Sequence, residues 1–177
     1  MPDGSEEDYV DYVSARIPAL RRLAYLLTSD AHRADDLVQQ TITTLYVKWR
    51  RARAADNLDA YVRTMLVRTF LDEKRLAWAR VRLFREMPEP PPVEDGGSED
   101  RQVVRAALRR VPRRQQAVLV LRFYYDLSVE EVAATLGCTT GTVKSQTSRG
   151  LAALRRLLGE HDLAGFAANA VPGRKAS

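Results

Sequence analysis

Thr140, Thr142, Lys144, Ser145, Gln146, Ser148 and Arg149 place hydroxyl, amide and cationic side chains within one short run. Such groups exchange hydrogen bonds with base edges and phosphates. Lysine and arginine donate to guanine or phosphate, and glutamine pairs with adenine in a major groove. The chemistry suits duplex reading, provided that one helix presents the row outward.

The flanking residues supply that helix. Ser128 can accept from first-turn amides, and Glu131 can reach back to the Ser128 amide, which completes a capping box. Val129, Val132, Ala133 and Leu136 recur at helical spacing. Gly137 can take the positive φ that closes a helix, and Thr139 or Thr140 offers the next N-cap. Val143, Leu151, Leu154 and Leu157 or Leu158 line the inner side of the second helix. A plain helical hairpin would share this periodicity. The agreement of caps, turn glycine and spacing favours a helix-turn-helix.

Composition bounds the rest. The 177 residues suffice for one domain or two small ones, and a 45% hydrophobic content allows a core in both halves. No apolar run is long enough for a membrane helix, and the acidic start MPDGSEEDYVDYV lacks a signal pattern. A cytoplasmic protein without membrane attachment is expected. Cys138 is the single cysteine, which excludes an intrachain disulfide and a multi-cysteine metal site. His32 and His161 are isolated, so no metal or cofactor is expected. The charge is unevenly spread: residues 101–160 carry net +7 and residues 86–100 carry net −6. The basic stretch is the footprint of a phosphate-backbone binder.

The segment EMPEPPPVEDGGSED holds four prolines, two glycines and six acids, and reads as a flexible linker, residues 86–100. The acids could also shield the basic DNA-binding face transiently. Upstream, Tyr12, Val13, Ile17, Leu20, Leu23, Ala24 and Leu27 form an apolar stripe, with Pro18 bending that helix or starting another. Ser29 or Asp30 caps the next, whose stripe runs Ala34, Leu37, Val38, Thr41, Leu45 and Trp49. Asn57 caps a third, burying Leu58, Val62, Met65, Leu66 and Phe70. Downstream, Arg101 to Val111 is a short helix, and Pro112 opens one carrying Ala117, Val118, Leu121 and Tyr124. The predicted fold is all-α: two small helical domains, 1–85 and 101–160, joined by the linker, with 161–177 a mobile tail.

At this point a resemblance enters. VPRRQQAVLVLRFYYDLSVEEVAATLGCTTGTVKSQTSRGLAALRRLL resembles the region-four domain of bacterial sigma factors, and DDLVQQTITTLYVKWRRARAADNLDAYVRTMLVRTFLDEKR resembles the region-two domain. Two such lobes, a short linker and no other domain are similar to the extracytoplasmic-function type. The resemblance implies a factor that binds core RNA polymerase and directs promoter-specific initiation, without catalysis of its own. It implies that the C-terminal lobe reads the minus thirty-five element as duplex through the row named above. Lys144, Gln146 and Arg149 would meet bases or adjacent phosphates, and Thr140 and Ser145 would meet phosphates near the helix N-terminus. Many relatives carry arginine where Gln146 stands, so the resemblance does not fix the minus thirty-five preference. The N-terminal lobe would open the minus-ten element and hold a single strand through Arg51, Asn57, Tyr61, Arg63 and Thr64. Arg50, Arg53 and Arg68 would add charge. Asp35, Asp36, Val38, Gln39 and Gln40 would dock on polymerase. Trp49, at apolar spacing, belongs to the core. An anti-sigma factor that masks both lobes is a further implied partner.

Two rivals remain at this stage. A stand-alone helix-turn-helix regulator would need a ligand pocket, receiver domain or dimerisation helix before the motif. An enzyme would need more than Asp72 and Glu73, which adjacent helix positions point apart.

Overall fold

A 25-residue helix, α1 (Gly4–Thr28), opens the described chain and continues past Pro18. No second helix starts at Pro18, because Val13 before it, and Leu20, Leu23 and Leu27 after it, are all buried by the same continuous helix. One continuous axis buries both sets; the missing amide donor is tolerated at an exposed position. Helices α2 (Ala31–Val47), α3 (Trp49–Ala52) and α4 (Leu58–Arg80) follow. The structure, a computed structural model, describes residues 4–80 and 99–159, so most of segment 86–100 and all of segment 161–177 lie outside the described residues. Among the described residues there is no strand.

The chain divides between Pro92 and Val93 into two compact units. In the first, the stripes of α1, α2 and α4 meet: Leu23, Leu27, Leu37, Leu45, Val62, Leu66, Val67 and Phe70 are fully buried. Asp30, not Ser29, caps α2, accepting from the Arg33 amide. The expected single stripe to Trp49 is divided, because α2 stops and Lys48 separates it from the four-residue α3. Trp49 still reaches the core and is 3% exposed. Asn57 caps α4, its Oδ1 accepting from the Ala60 amide at 2.9 Å. Glu73, adjacent to Asp72, pairs with Arg33 across α2 and α4 at 3.2 Å.

The second unit comprises α5 (Glu99–Arg110), α6 (Arg113–Leu119), a π-helical turn (Val120–Tyr124), α7 (Val129–Leu136) and α8 (Thr140–Leu158). The six consecutive residues Gln116 to Leu121 are all buried, so this stretch is enclosed rather than one-sided. At its end the Tyr125 amide donates to the Val120 carbonyl, five residues back, and Asp126 turns to φ 51°. An Arg122 Nη1 donates to the Leu127 carbonyl, which fastens this turn to the start of α7. Leu119 and Leu154 join Ala107, Leu108 and Val111 in the core.

Candidate nucleic-acid interface

Both halves of the capping box form before α7. The Glu131 amide donates to Ser128 Oγ at 3.1 Å, and the Ser128 amide donates to Glu131 Oε2 at 2.7 Å. Gly137 adopts φ 63° and ends the helix. Thr139, rather than Thr140, caps α8, accepting from the Thr142 amide at 3.1 Å. Val143 and Leu154 are buried, and Gly150 is buried beside Leu119. A Cβ on Gly150 would lie 3.0 Å from Leu119 Cδ1 and 3.4 Å from Gln115 Cβ. The glycine therefore sets how closely α8 approaches α6, and so how the outer row stands.

With these inner positions fixed, roughly 100° per residue turns Gly141, Ser145, Ser148 and Ala152 to the centre of the outer face. Lys144 and Arg155 flank it on one side, Arg149 and Arg156 on the other, and all eight residues are exposed. Thr140 is exposed at the helix start. Gln146 and Thr142 are half-buried at the margin of this face. Two hydroxyls are already engaged: Thr142 Oγ1 pairs with Thr139 Oγ1 at 2.9 Å, and Ser145 Oγ donates to the Thr142 carbonyl at 2.9 Å. In that state Ser145 only accepts. Phosphate oxygens also only accept, so a Ser145–phosphate contact requires the hydroxyl to turn away from the Thr142 carbonyl.

In the first unit the expected residues separate into two groups. Asp36, Gln39 and Gln40 are exposed on α2, whereas Val38 is 4% exposed and belongs to the core, so it supports this surface from behind. Asp35 is exposed but bound by Arg21, with Nε donating to Oδ1 at 2.7 Å and Nη2 to Oδ2 at 3.0 Å. Thr43 and Val47 extend the row of Asp36 and Gln40, and Val47 is 80% exposed. The apolar stripe conceals Val47 in the sequence; its signal is a large apolar residue that falls outside that stripe.

Beyond α2, Val47, Lys48, Arg50 and Arg51 line an open groove of about 490 Å³. Helix spacing brings Asn57, Tyr61, Thr64 and Arg68 to one side of α4. Arg63 falls toward the other side, half-buried and engaged within the chain. Asn57 commits its carbonyl oxygen to the cap, which leaves the amide protons to donate. Among the described residues, no cluster of three His, Cys, Asp or Glu could hold a metal ion. No described helix is long and apolar enough to cross a membrane.

Among the described residues the two units are helical, and one presents a basic helix-turn-helix, the architecture of a DNA-binding protein. The family described as Sigma-70 region 2 matches residues 12–80, and Sigma-70, region 4 matches residues 101–154. The RNA polymerase sigma-E factor of Streptomyces coelicolor is 34% identical over 166 residues, covering 90% of this chain and 91% of that one. The ECF RNA polymerase sigma factor EcfG of Rhodopseudomonas palustris is 32% identical, covering 84% and 83%. A solved structure of the sigma factor RpoE with the anti-sigma factor NepR, from Bartonella quintana, is 31% identical. It superposes with a TM-score of 0.69 and covers 87% of this chain and 98% of its own. The chain belongs to the extracytoplasmic-function group of RNA polymerase sigma factors and directs polymerase to promoters.

Proposed function

We propose a division of labour for this sigma factor, residue by residue. The α8 face carries the minus thirty-five reading: Lys144 and Arg149 flank its exposed centre, Ser148 lies within it, and Thr140 stands beside the first-turn amides, suited to a phosphate. Gln146 and Thr142 touch the duplex only from the margin. Asp36, Gln39, Gln40, Thr43 and Val47 form the polymerase-docking face, with Asp35 steadied by Arg21 and Val38 beneath. The groove at Arg51, together with Asn57, Tyr61 and Thr64, holds the unpaired minus-ten strand; Arg63 serves this surface from its rear. The domains run 1–85 and 101–160, and the protein acts in the cytoplasm without catalysing a reaction itself. An anti-sigma partner is proposed from the neighbouring complex, in which a related sigma factor is held by one.

The observation that carries this reading is the outward row of α8, cationic on both edges and small at its centre. Small central residues let a helix approach base edges, so that Arg149 can reach a base from one edge while Lys144 reaches a phosphate from the other. The test is run-off transcription from genomic fragments with core polymerase and the purified chain. Discrete transcripts sharing one upstream element are expected, and their loss in Arg149→Ala with core binding retained. Duplex binding by the free chain with no transcripts would instead favour a stand-alone regulator.

A further inference from the structure

The loop Arg53–Asn57 joins α3 to α4 and sits between Trp49 on one side and Asp59 on the other. Its own bonds are few: the Arg53 amide donates to the Trp49 carbonyl at 2.9 Å and the Ala55 amide to the Ala52 carbonyl at 3.0 Å. Three residues of α1 at i, i+4 and i+8 reach both sides of it. Tyr12 lays its ring against Trp49, with centroids 5.7 Å apart, and donates its hydroxyl to Asp59 Oδ1 at 2.9 Å. Arg16 Nη2 pairs with the other oxygen, Asp59 Oδ2, at 2.8 Å. Asp8 Oδ2 lies 3.6 Å from Arg53 Nη1.

Tyr9, on the same side of α1, stacks edge-on against Trp49 at 5.4 Å and donates to the Ile42 carbonyl. The buried Trp49 Nε1 has no hydrogen-bond partner, so ring contacts are what hold this indole.

We infer that Tyr12 is a positioning residue for strand capture: it ties the two sides of the Arg53–Asn57 loop to α1, with Arg16 and Asp59 completing the tie. The inference rests on the proposed strand-holding role of Asn57, which ends this loop, and of Tyr61. The two ion pairs are about half-exposed, so salt screens them and each contributes little alone. The tyrosine is different, because one side chain makes both an aromatic contact and a neutral-donor bond to a carboxylate that Arg16 already orients. A loop held in place before the strand arrives loses less freedom when the strand binds. The same residues would be silent for duplex reading, which belongs to the other unit.

The test uses holoenzyme assembled from the full chain and core polymerase, offered a randomised pool of single-stranded DNA. Parent holoenzyme is expected to enrich one motif. Tyr12→Phe keeps the ring on Trp49 and loses the hydroxyl bond. It should enrich the same motif with roughly three- to tenfold lower affinity, on the scale of ordering one or two side chains. Tyr12→Leu should lose more, and Tyr12→Phe combined with Asp59→Asn should lose no more than the worse single change. Core affinity and duplex binding should stay as in the parent. Unchanged strand affinity in Tyr12→Phe overturns the inference, as does an additive double variant or an equal fall in core affinity. If the parent enriches no motif at all, the strand-capture reading itself fails, a result distinct from failure of the tie.

Discussion

Ser145 gives its hydroxyl proton to the Thr142 carbonyl in the free chain, so as it stands it can accept from the amino groups of adenine or cytosine, and donating to a phosphate would require the hydroxyl to turn. Arg149 and Lys144, one on each edge of the same face, form no hydrogen bond or ion pair among the described residues and should behave differently from each other. Arg149→Ala is expected to cost about 1–3 kcal/mol of discrimination at one base position, measured on single-base variants of the mapped upstream element. Lys144→Ala should weaken matched and scrambled duplexes alike and lower the salt slope by about one, the mark of a phosphate contact. If Arg149→Ala acts uniformly and Lys144→Ala selectively, the two roles are exchanged. Tyr12 carries a second residue-scale prediction. Burial, and then the bond to Asp59, push its phenol above the ordinary tyrosine range; burial, with Tyr46 nearby, pushes Tyr9 up too. A raised folded pKa means that the stabilisation is intact below the unfolded value near 10 and is lost as pH climbs through the folded one. Thermal stability should therefore fall above pH 10, and the fall should be shallower in Tyr12→Phe. An identical alkaline profile for parent and variant would rule out Tyr12 as a source.

Helix packing explains why some elements could be read in advance and others could not. Caps are local, and Ser128, Glu131, Gly137 and Asn57 perform the roles that their types and spacing announce. The π-helical turn at Val120–Tyr124 was hidden because it answers to the enclosed run Gln116–Leu121, a property of the surroundings. Arg21–Asp35 and Arg33–Glu73 link residues 14 and 40 positions apart, and no periodicity reports such pairs. On α8 the exposed row followed from its apolar stripe, whereas the hydroxyl bonds of Thr142 and Ser145 did not. Two element-scale predictions follow from packing. Gly150→Val forces methyl groups into Leu119 and should destabilise the second unit by about 1–3 kcal/mol, read by chemical denaturation. Its −35 duplex affinity should fall as well, since α8 is displaced; full stability would mean that α6 yields. Pro18→Ala restores an amide donor inside α1 at an exposed position and should stabilise the first unit by roughly 2 kcal/mol. No gain would mean that the helix already relaxes fully around the proline.

Across the whole molecule the charges are segregated: net +7 over residues 101–160 beside net −6 over residues 86–100. The α8 arginines and Lys144 are exposed, so acids carried in the same chain would compete with DNA phosphates for them at high effective concentration. Replacing Glu86, Glu89, Glu94, Asp95, Glu99 and Asp100 by their amides moves the net charge from +5 to +11. If the acids do compete, duplex affinity at low salt should rise by roughly tenfold and the salt dependence should steepen, because more arginine and lysine side chains become available to pair with phosphates. The ratio of matched to scrambled affinity should stay constant, since a backbone term carries no sequence information. Titrations from low to high salt separate the possibilities. Equal affinity and slope in parent and variant would reject the competition. A changed ratio would mean that the acids act on the base-reading face of α8 rather than on its phosphate contacts. A gain that persists at high salt would also reject the electrostatic account, because screened charges cannot sustain it.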